Sequence, residues 1–372
     1  MFIQMFAAML VSGLLALSPA QSKKVPPPCH TLTEKQLKEA TTLSEPCYAV
    51  NGYITVSGAL TVEPGVHIVF GPGSTFSFQD DGTLTAIGTP EKPIVFEGKD
   101  HTAGSWEGLD IHSNSSKNQL SYVTVADAGT KGEDSGAVRV SIAARLAIDH
   151  TTVRNAEGTG LNVLQRGILS RFEQNHFEAT GTPMRVKASD LAMIDPATTF
   201  SNNKKNYVLV YFNECDVNDD QTWRALSVPY HFGCSAEIKS HVTVEAGARL
   251  EFEANMGLEI TQDGSLTAAG STEKPILFTG TDQTPGYWTG LYFESNSSKN
   301  VVRNATITYA GQPSQISAGV CVGVRASATV VHSEIAHSAD AGIRVLQDGI
   351  LNPDAETANH LHDNKENIKR EN

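Results

Sequence analysis

The chain carries one long block written twice. Asp81-Gly-Thr-Leu-Thr-Ala-Ile-Gly88 returns as Asp263-Gly-Ser-Leu-Thr-Ala-Ala-Gly270, Glu91-Lys-Pro-Ile-Val-Phe96 as Glu273-Lys-Pro-Ile-Leu-Phe278, and Ser113-Asn-Ser-Ser-Lys-Asn118 as Ser295-Asn-Ser-Ser-Lys-Asn300. The same self-match carries Leu60–Gly65 onto Val242–Gly247, Trp106–Leu109 onto Trp288–Leu291 and Val163–Gln165 onto Val345–Gln347, always at an offset of 182 positions. A second period lies inside the first. The apolar pairs Leu60/Val62, Ile68/Phe70, Phe76/Phe78 and Leu84/Ala86 follow one another at eight-residue steps, and Val242/Val244, Leu250/Phe252, Leu258/Ile260 and Leu266/Ala268 repeat the pattern. Alternation of this kind buries one face of a strand and wets the other. Three such strands make a coil of roughly two dozen residues, which is the solenoid type of repeat. Gly, Pro, Asn and Asp fill the gaps, as turns require.

The fold expected is therefore all-β: a right-handed parallel β-helix with a duplicated block of coils. Asn202-Asn-Lys-Lys-Asn206 matches Asp363-Asn-Lys-Glu-Asn367 at an offset of only 161, so the second copy has lost about one coil. A solenoid tolerates such a loss because each coil touches only its neighbours. Two tandem β-sandwiches are the alternative fold, and they need antiparallel turn signals that are scarce here. Thr33 and Gln36 form a Thr-x-x-Gln capping box around Leu37, which predicts a short helix covering the open end of the first coil. The expected organisation is a signal peptide over 1–20, a cap segment over 21–46, a first block over 47–213, a connecting disulfide loop over 214–234 and a second block over 235–372.

The compartment is read from the N-terminus and the cysteines. Phe6 to Leu17 is apolar and ends in Ser18-Pro19-Ala20, which fits signal-peptidase cleavage. The run is too short for a comfortable membrane span, and no later segment is apolar enough for one. In an oxidising compartment the spacing predicts Cys29–Cys47 and Cys215–Cys234 disulfides, with Cys321 single and buried. No Cys-x-x-Cys occurs, and no metal site is read from the spacings. A formal charge of -13 argues against a nucleic-acid partner, which needs a basic stripe.

Leu60–Gly65, Gly264–Gly270, Glu273–Gly280 and Gly286–Gly290 resemble secreted bacterial β-helix proteins of the pectate-lyase-like superfamily. The resemblance implies export and often carbohydrate contact, but no catalytic set, because that superfamily spans lyases, hydrolases and adhesins. Leu146-Ala-Ile-Asp-His150 is similar to the Ile-Asp-His segment of pectate lyases, where a carboxylate cluster holds calcium and an arginine abstracts the proton. Under that reading Asp149 and His150 are the catalytic candidates and calcium the cofactor. One Asp does not make a calcium site, however. The Arg-x-Pro motif is absent, and the copy places Val331 opposite Asp149 while keeping His332 opposite His150. Asp80-Asp81 could serve as a hydrolase carboxylate pair, but Asp81-Gly82 is a turn signal and no Gly-His-Gly segment accompanies it.

The ligand-binding candidates are Trp106 with Glu107, Asp110 and His112, and Trp288 with Tyr287, Tyr292 and Glu294. Sugars favour flat aromatic faces flanked by carboxylates. Asp110, His112, Tyr292 and Glu294 alternate with apolar residues and should point outward, and strand repetition should set the two clusters along one long face. The competing reading is that each Trp packs a coil corner between two glycines. Asn114, Asn202, Asn203 and Asn206 are candidates for side-chain ladders in the turns. The function expected is an exported, non-catalytic β-helix that binds a polysaccharide or cell-envelope glycan. A polysaccharide lyase or glycoside hydrolase is one alternative, and a structural or adhesive module that binds a surface protein is another. No cofactor is expected outside the lyase reading.

Overall fold

The computed structural model describes residues 28–372 apart from residues 80, 212–214, 313–316 and 372. The expected leader over 1–20 therefore lies outside the described residues. Short strands follow one another through the chain, and every pairing among the described strands is parallel. They stack as a β-solenoid of about 13 turns with almost no helix. Parallel neighbours one coil apart exclude the tandem sandwich, whose strands pair antiparallel.

The alternation seen in the sequence is what closes the coils. In the strands Ala59–Val62, His67–Phe70 and Thr75–Phe78, the residues Leu60, Val62, Ile68, Phe70, Phe76 and Phe78 are 2% exposed or less. Like side chains pile above one another, as where Ile54 pairs with Phe76 and Phe76 with Leu109. Each coil thus buries its apolar edge only by stacking on the next.

One sheet of 13 strands runs the whole length. The other faces break in the middle: an eight-stranded and a six-stranded sheet serve the first block, and two new six-stranded sheets serve the second. The copies do not line up face for face. Ile94–Gly98 lies in the eight-stranded sheet, whereas its copy Ile276–Gly280 lies in the long sheet. Gly108–Ile111 lies in the long sheet, whereas its copy Gly290–Phe293 belongs to a sheet of the second block alone.

The segment expected as a connecting loop over 214–234 is instead a coil of the solenoid. It holds the strands Gln221–Trp223 and Tyr230–Phe232, and Val217 bridges to Ile238. Val217, Trp223 and Phe232 are fully buried, so even these short apolar stretches suffice to continue the stack. Both expected disulfides form, with Cα–Cα distances of 4.7 Å for Cys29–Cys47 and 6.4 Å for Cys215–Cys234, and Cys321 is buried and free. The cap is a single 3-10 turn, Gln36–Lys38, in which Thr33 N–H donates to Gln36 Oε1 at 2.9 Å. Leu37 is fully buried against Tyr53–Val56, the terminal strand of the long sheet.

The lost coil is visible in the hydrogen bonds. Asn203 accepts from Thr180 N and donates to Phe177 O and Asn206; Asn364 accepts from Ser338 N and donates to Ile335 O and Asn367. The motif is the same, set one coil earlier in the second block. Asn118 and Asn300 make a second matched pair, each accepting from the backbone one coil away, at Leu84 N and Leu266 N. Asn114 makes no comparable turn ladder; its side chain accepts from Arg145 at 3.3 Å.

Candidate functional site

The two tryptophans are core residues. Trp106 and Trp288 are fully buried, stack on Phe70 and Phe252 at 3.8 and 4.4 Å between ring centroids, and donate Nε1–H to Ala126 O and Thr308 O. Neither offers a flat face to a ligand. The glycine two residues on explains the motif: Gly108 has φ +122, and a Cβ there would sit 2.5 Å from Gly136 O. Gly290 repeats this with φ +104 against Ala318. The expectation of one long binding face also fails. Asp110 belongs to the long sheet with His112 just past its strand, while Tyr292, with Glu294 just past its strand, stands on the sheet begun in the second block, because the second block joins one strand type out of phase.

On the first block, however, the outward side chains of the long sheet form a cleft. Its cause is coil length. Thr180 and Asn203 meet 23 residues apart on adjacent plain coils, whereas Asp110 and Arg139 meet 29 apart. The surplus residues rise as a loop over 129–136. That loop is tied down from three successive coils: Arg139 Nη1 donates to Asp134 O at 3.4 Å, Asn162 Nδ2 to Glu133 O and Ser135 O at 2.9 Å each, and Arg185 Nη1 to Glu133 O. Between this wall and Tyr53, Thr75 and Glu107 lies a space of about 540 Å³ floored by Asp110 and Arg139. A shallower continuation of about 390 Å³ runs on past Arg139 over His112, Ser141 and Ile142.

Asp110 leaves the outer face as alternation demands, yet it is only 4% exposed. Arg139 closes on it with both Nε, at 2.8 Å, and Nη2. Ser141 Oγ donates to Oδ1 at 2.9 Å, and His112 Nε2 lies 2.7 Å from Oδ2. Burial works to raise the Asp110 carboxyl, but the hydrogen bonds and charge of Arg139, with His112, hold it below the ordinary carboxylate range. The same pair raises Arg139. Arg185, in contact with the Tyr211 ring at 4.3 Å, is lowered by burial against the pull of Glu133. Tyr53 stands 59% exposed at the rim, and Glu107, Glu133 and Asp134 are exposed around it.

The other candidates are placed differently. Asp149 is bound by Arg171 and Ser121 and lies 3.0 Å from His150 Nδ1. His150 occupies a left-handed corner at φ +45, stacks on Tyr122, and is matched by His332 at φ +51. Its oxygens are engaged by Arg171, Ser121 and His150, and among the described residues Asp149 does not converge with two further carboxylate, His or Cys ligands. Asp80 lies outside the described residues, and Asp81 stands in a turn. In the second block Tyr292 packs against Cys321, and burial with Glu294 nearby raises its phenol. Burial, Glu294 and Glu237 raise the Glu259 carboxyl beside it. Tyr287 and Glu294 are half-buried.

Arg139, Tyr53, Glu133 and Asp134 were not picked out by sequence reasoning. The signal was present where the self-match breaks at outward positions: Asp110 against Tyr292 and Arg139 against Cys321. No known protein family, curated protein or solved structure matches the chain.

Proposed function

We propose that the protein is an exported β-helix that binds a polysaccharide, or a cell-envelope glycan, across the outer face of its first block without cleaving it. The carrying observation is the walled cleft: a fixed Asp110–Arg139 pair on its floor and an exposed Tyr53 at its rim. Rigid polar groups beside an aromatic face are what a saccharide needs for orientation and stacking. Three exposed carboxylates on the rim, Glu107, Glu133 and Asp134, favour an uncharged chain over a polyanionic one. Two disulfide pairs support an oxidising compartment and hence export. The non-catalytic reading rests on Asp110, a carboxyl held ionised and engaged by three partners, which makes it a poor general acid near neutral pH.

The test is binding of the intact protein to a panel of neutral and acidic glycans. Tyr53→Ala should weaken binding about two- to tenfold, the value of one lost stacking contact of roughly 0.5–1.5 kcal/mol. Tyr292→Ala, on another face, should bind as wild type. Binding to no glycan, or equal binding by Tyr53→Ala, sinks the reading.

A lyase or hydrolase is the second reading, because four carboxylates and an arginine surround one cleft. Reducing ends or unsaturated products, assayed with and without calcium and abolished in Asp110→Asn, would establish it in place of the first.

A further inference from the structure

One face away from the cleft, on the eight-stranded sheet, a second group of side chains converges. Glu97 stands on the strand Ile94–Gly98, His101 in the loop that follows, and Asp127 in the bend after Val123–Ala126. One ligand atom from each lies within 4.8 Å of those of the other two. His101 Nδ1 is 3.4 Å from Asp127 Oδ2 and 3.9 Å from Glu97 Oε1, and His67 Nε2 is 2.8 Å from Glu97 Oε1. Zinc bound tetrahedrally at about 2.0–2.2 Å keeps its ligand atoms roughly 3.4 Å apart.

Asp127 supplies the observation that packing leaves unexplained. It is 1% exposed; Oδ1 accepts from Asn155 Nδ2 at 2.7 Å, while Oδ2 is shut off from solvent and accepts no hydrogen bond, facing the His101 imidazole at 3.4 Å. A buried carboxylate oxygen without a donor is costly unless a cation faces it. The backbone around it is fixed. Asp127 N–H donates to Arg154 O, and Asp127 O accepts from Ser105 N–H at 2.9 Å. Asn155 orients the carboxylate as the outer contacts of metal ligands do.

The second block serves as an internal control. There Arg249, Thr279, Gln283 and Tyr309 replace His67, Glu97, His101 and Asp127. The bend nevertheless forms with Tyr309 at φ +63, against +65 for Asp127, and the neighbouring tryptophan makes the same indole hydrogen bond. The corner therefore folds without this ionisable set.

We propose that Glu97, His101 and Asp127 bind a divalent transition-metal ion of the zinc class, with water completing its shell and His67 as an outer contact to Glu97. An imidazole with two carboxylates suits zinc, and the nitrogen donor disfavours calcium or magnesium, which take oxygen donors. Because Ile94–Gly98 and Val123–Ala126 are adjacent strands, the ion clamps two successive coils.

The experiment is zinc titration of chelator-stripped protein by calorimetry, with thermal unfolding and the visible absorption of Co2+ as further readouts. Glu334, His360 and His362 also offer converging ligand atoms across the last two strands of the long sheet, so the measurement uses the His360→Gln/His362→Gln protein as its base. One zinc per chain should remain there, with a raised melting temperature. Adding His101→Ala and Asp127→Asn should weaken binding beyond the roughly 10–100-fold lost when only an outer contact is removed. Asp127→Asn keeps the bond to Asn155, and an unchanged metal-free melting temperature will show that the corner is intact. No zinc bound by the base protein, or an unchanged stoichiometry after the two further substitutions, overturns the proposal.

Discussion

The same outward positions have taken different courses in the two blocks. At the offset of 182, Asp110 faces Tyr292, Arg139 faces Cys321 and Ser141 faces Gly323, whereas inward Phe70, Trp106 and Leu109 face Phe252, Trp288 and Leu291. In the first block the outward residues make a charged floor under a tethered wall. In the second, Tyr292 lies down on Cys321 among Ala318 and Ala341 and closes the surface. A coil's inner residues are held by the coils above and below, so they change little. Its outer residues answer to nothing but solvent and ligand, and there the copies are free to part.

The core half of that comparison carries the largest effects. Trp106→Ala and Trp288→Ala should each cost about 3–5 kcal/mol, read by urea denaturation with hydrogen exchange to localise the loss, since a long solenoid need not unfold in one step. A near-neutral result at either would mean that tryptophan is not core and the blocks are not equivalent inside. Next comes the junction. Cys215→Ser/Cys234→Ser should cost about 2–4 kcal/mol and split unfolding into one transition per block, while removal of Cys29–Cys47 should fray the first coil only.

The outer positions should give smaller and unequal effects. Arg139→Ala leaves the Asp110 carboxylate buried without its cation and should cost about 1–3 kcal/mol, reduced from the fully buried case because Arg139 is 30% exposed. Cys321→Ala should cost roughly 1 kcal/mol. Asp110 has a folded-state pKa below its unfolded one, so its stabilisation is fully present above the ordinary value of 3.8 and fades as pH falls toward the lower folded value. The stability difference between wild type and Asp110→Asn should be flat near neutrality and shrink only in acid; a change between pH 5 and 8 would assign the effect to another group. Last, burial pushes the Cys321 thiol up to about 12. It should label slowly in the native protein at pH 8, and faster in Tyr292→Ala. Unfolded, unreduced protein should titrate as one thiol.

The fold was legible because a solenoid writes its core locally. Leu60/Val62 and Ile68/Phe70 announce strands without any knowledge of what they stack on, and the Asn203 and Asn364 bonds follow the matched motifs that mark the lost coil. The two cysteine pairs were legible from spacing. The cleft was not, because its parts come from separate coils: Tyr53, Asp110 and Arg139 are neighbours only after stacking, and the wall over 129–136 reads as an ordinary turn-rich stretch. Trp106 and Trp288 misled in the opposite way, since a repeated aromatic beside glycine fits either a sugar platform or a packed corner, and only the stacking on Phe70 and Phe252 decides. The phase between the blocks depended on Val217 and Gln221–Trp223 forming a coil, too short a pattern to count in advance.

That phase limits how the molecule can grip anything. Two copied patches on one face could hold a single long polymer together, each raising the effective concentration seen by the other. Here the duplication has turned its second copy onto a different face, so no straight filament or flat lattice can meet both at once. Avidity from repetition is unavailable to this rod. What the rotation leaves instead is two faces whose outward side chains differ, Asp110 and Arg139 on one and Tyr292 and Cys321 on the other.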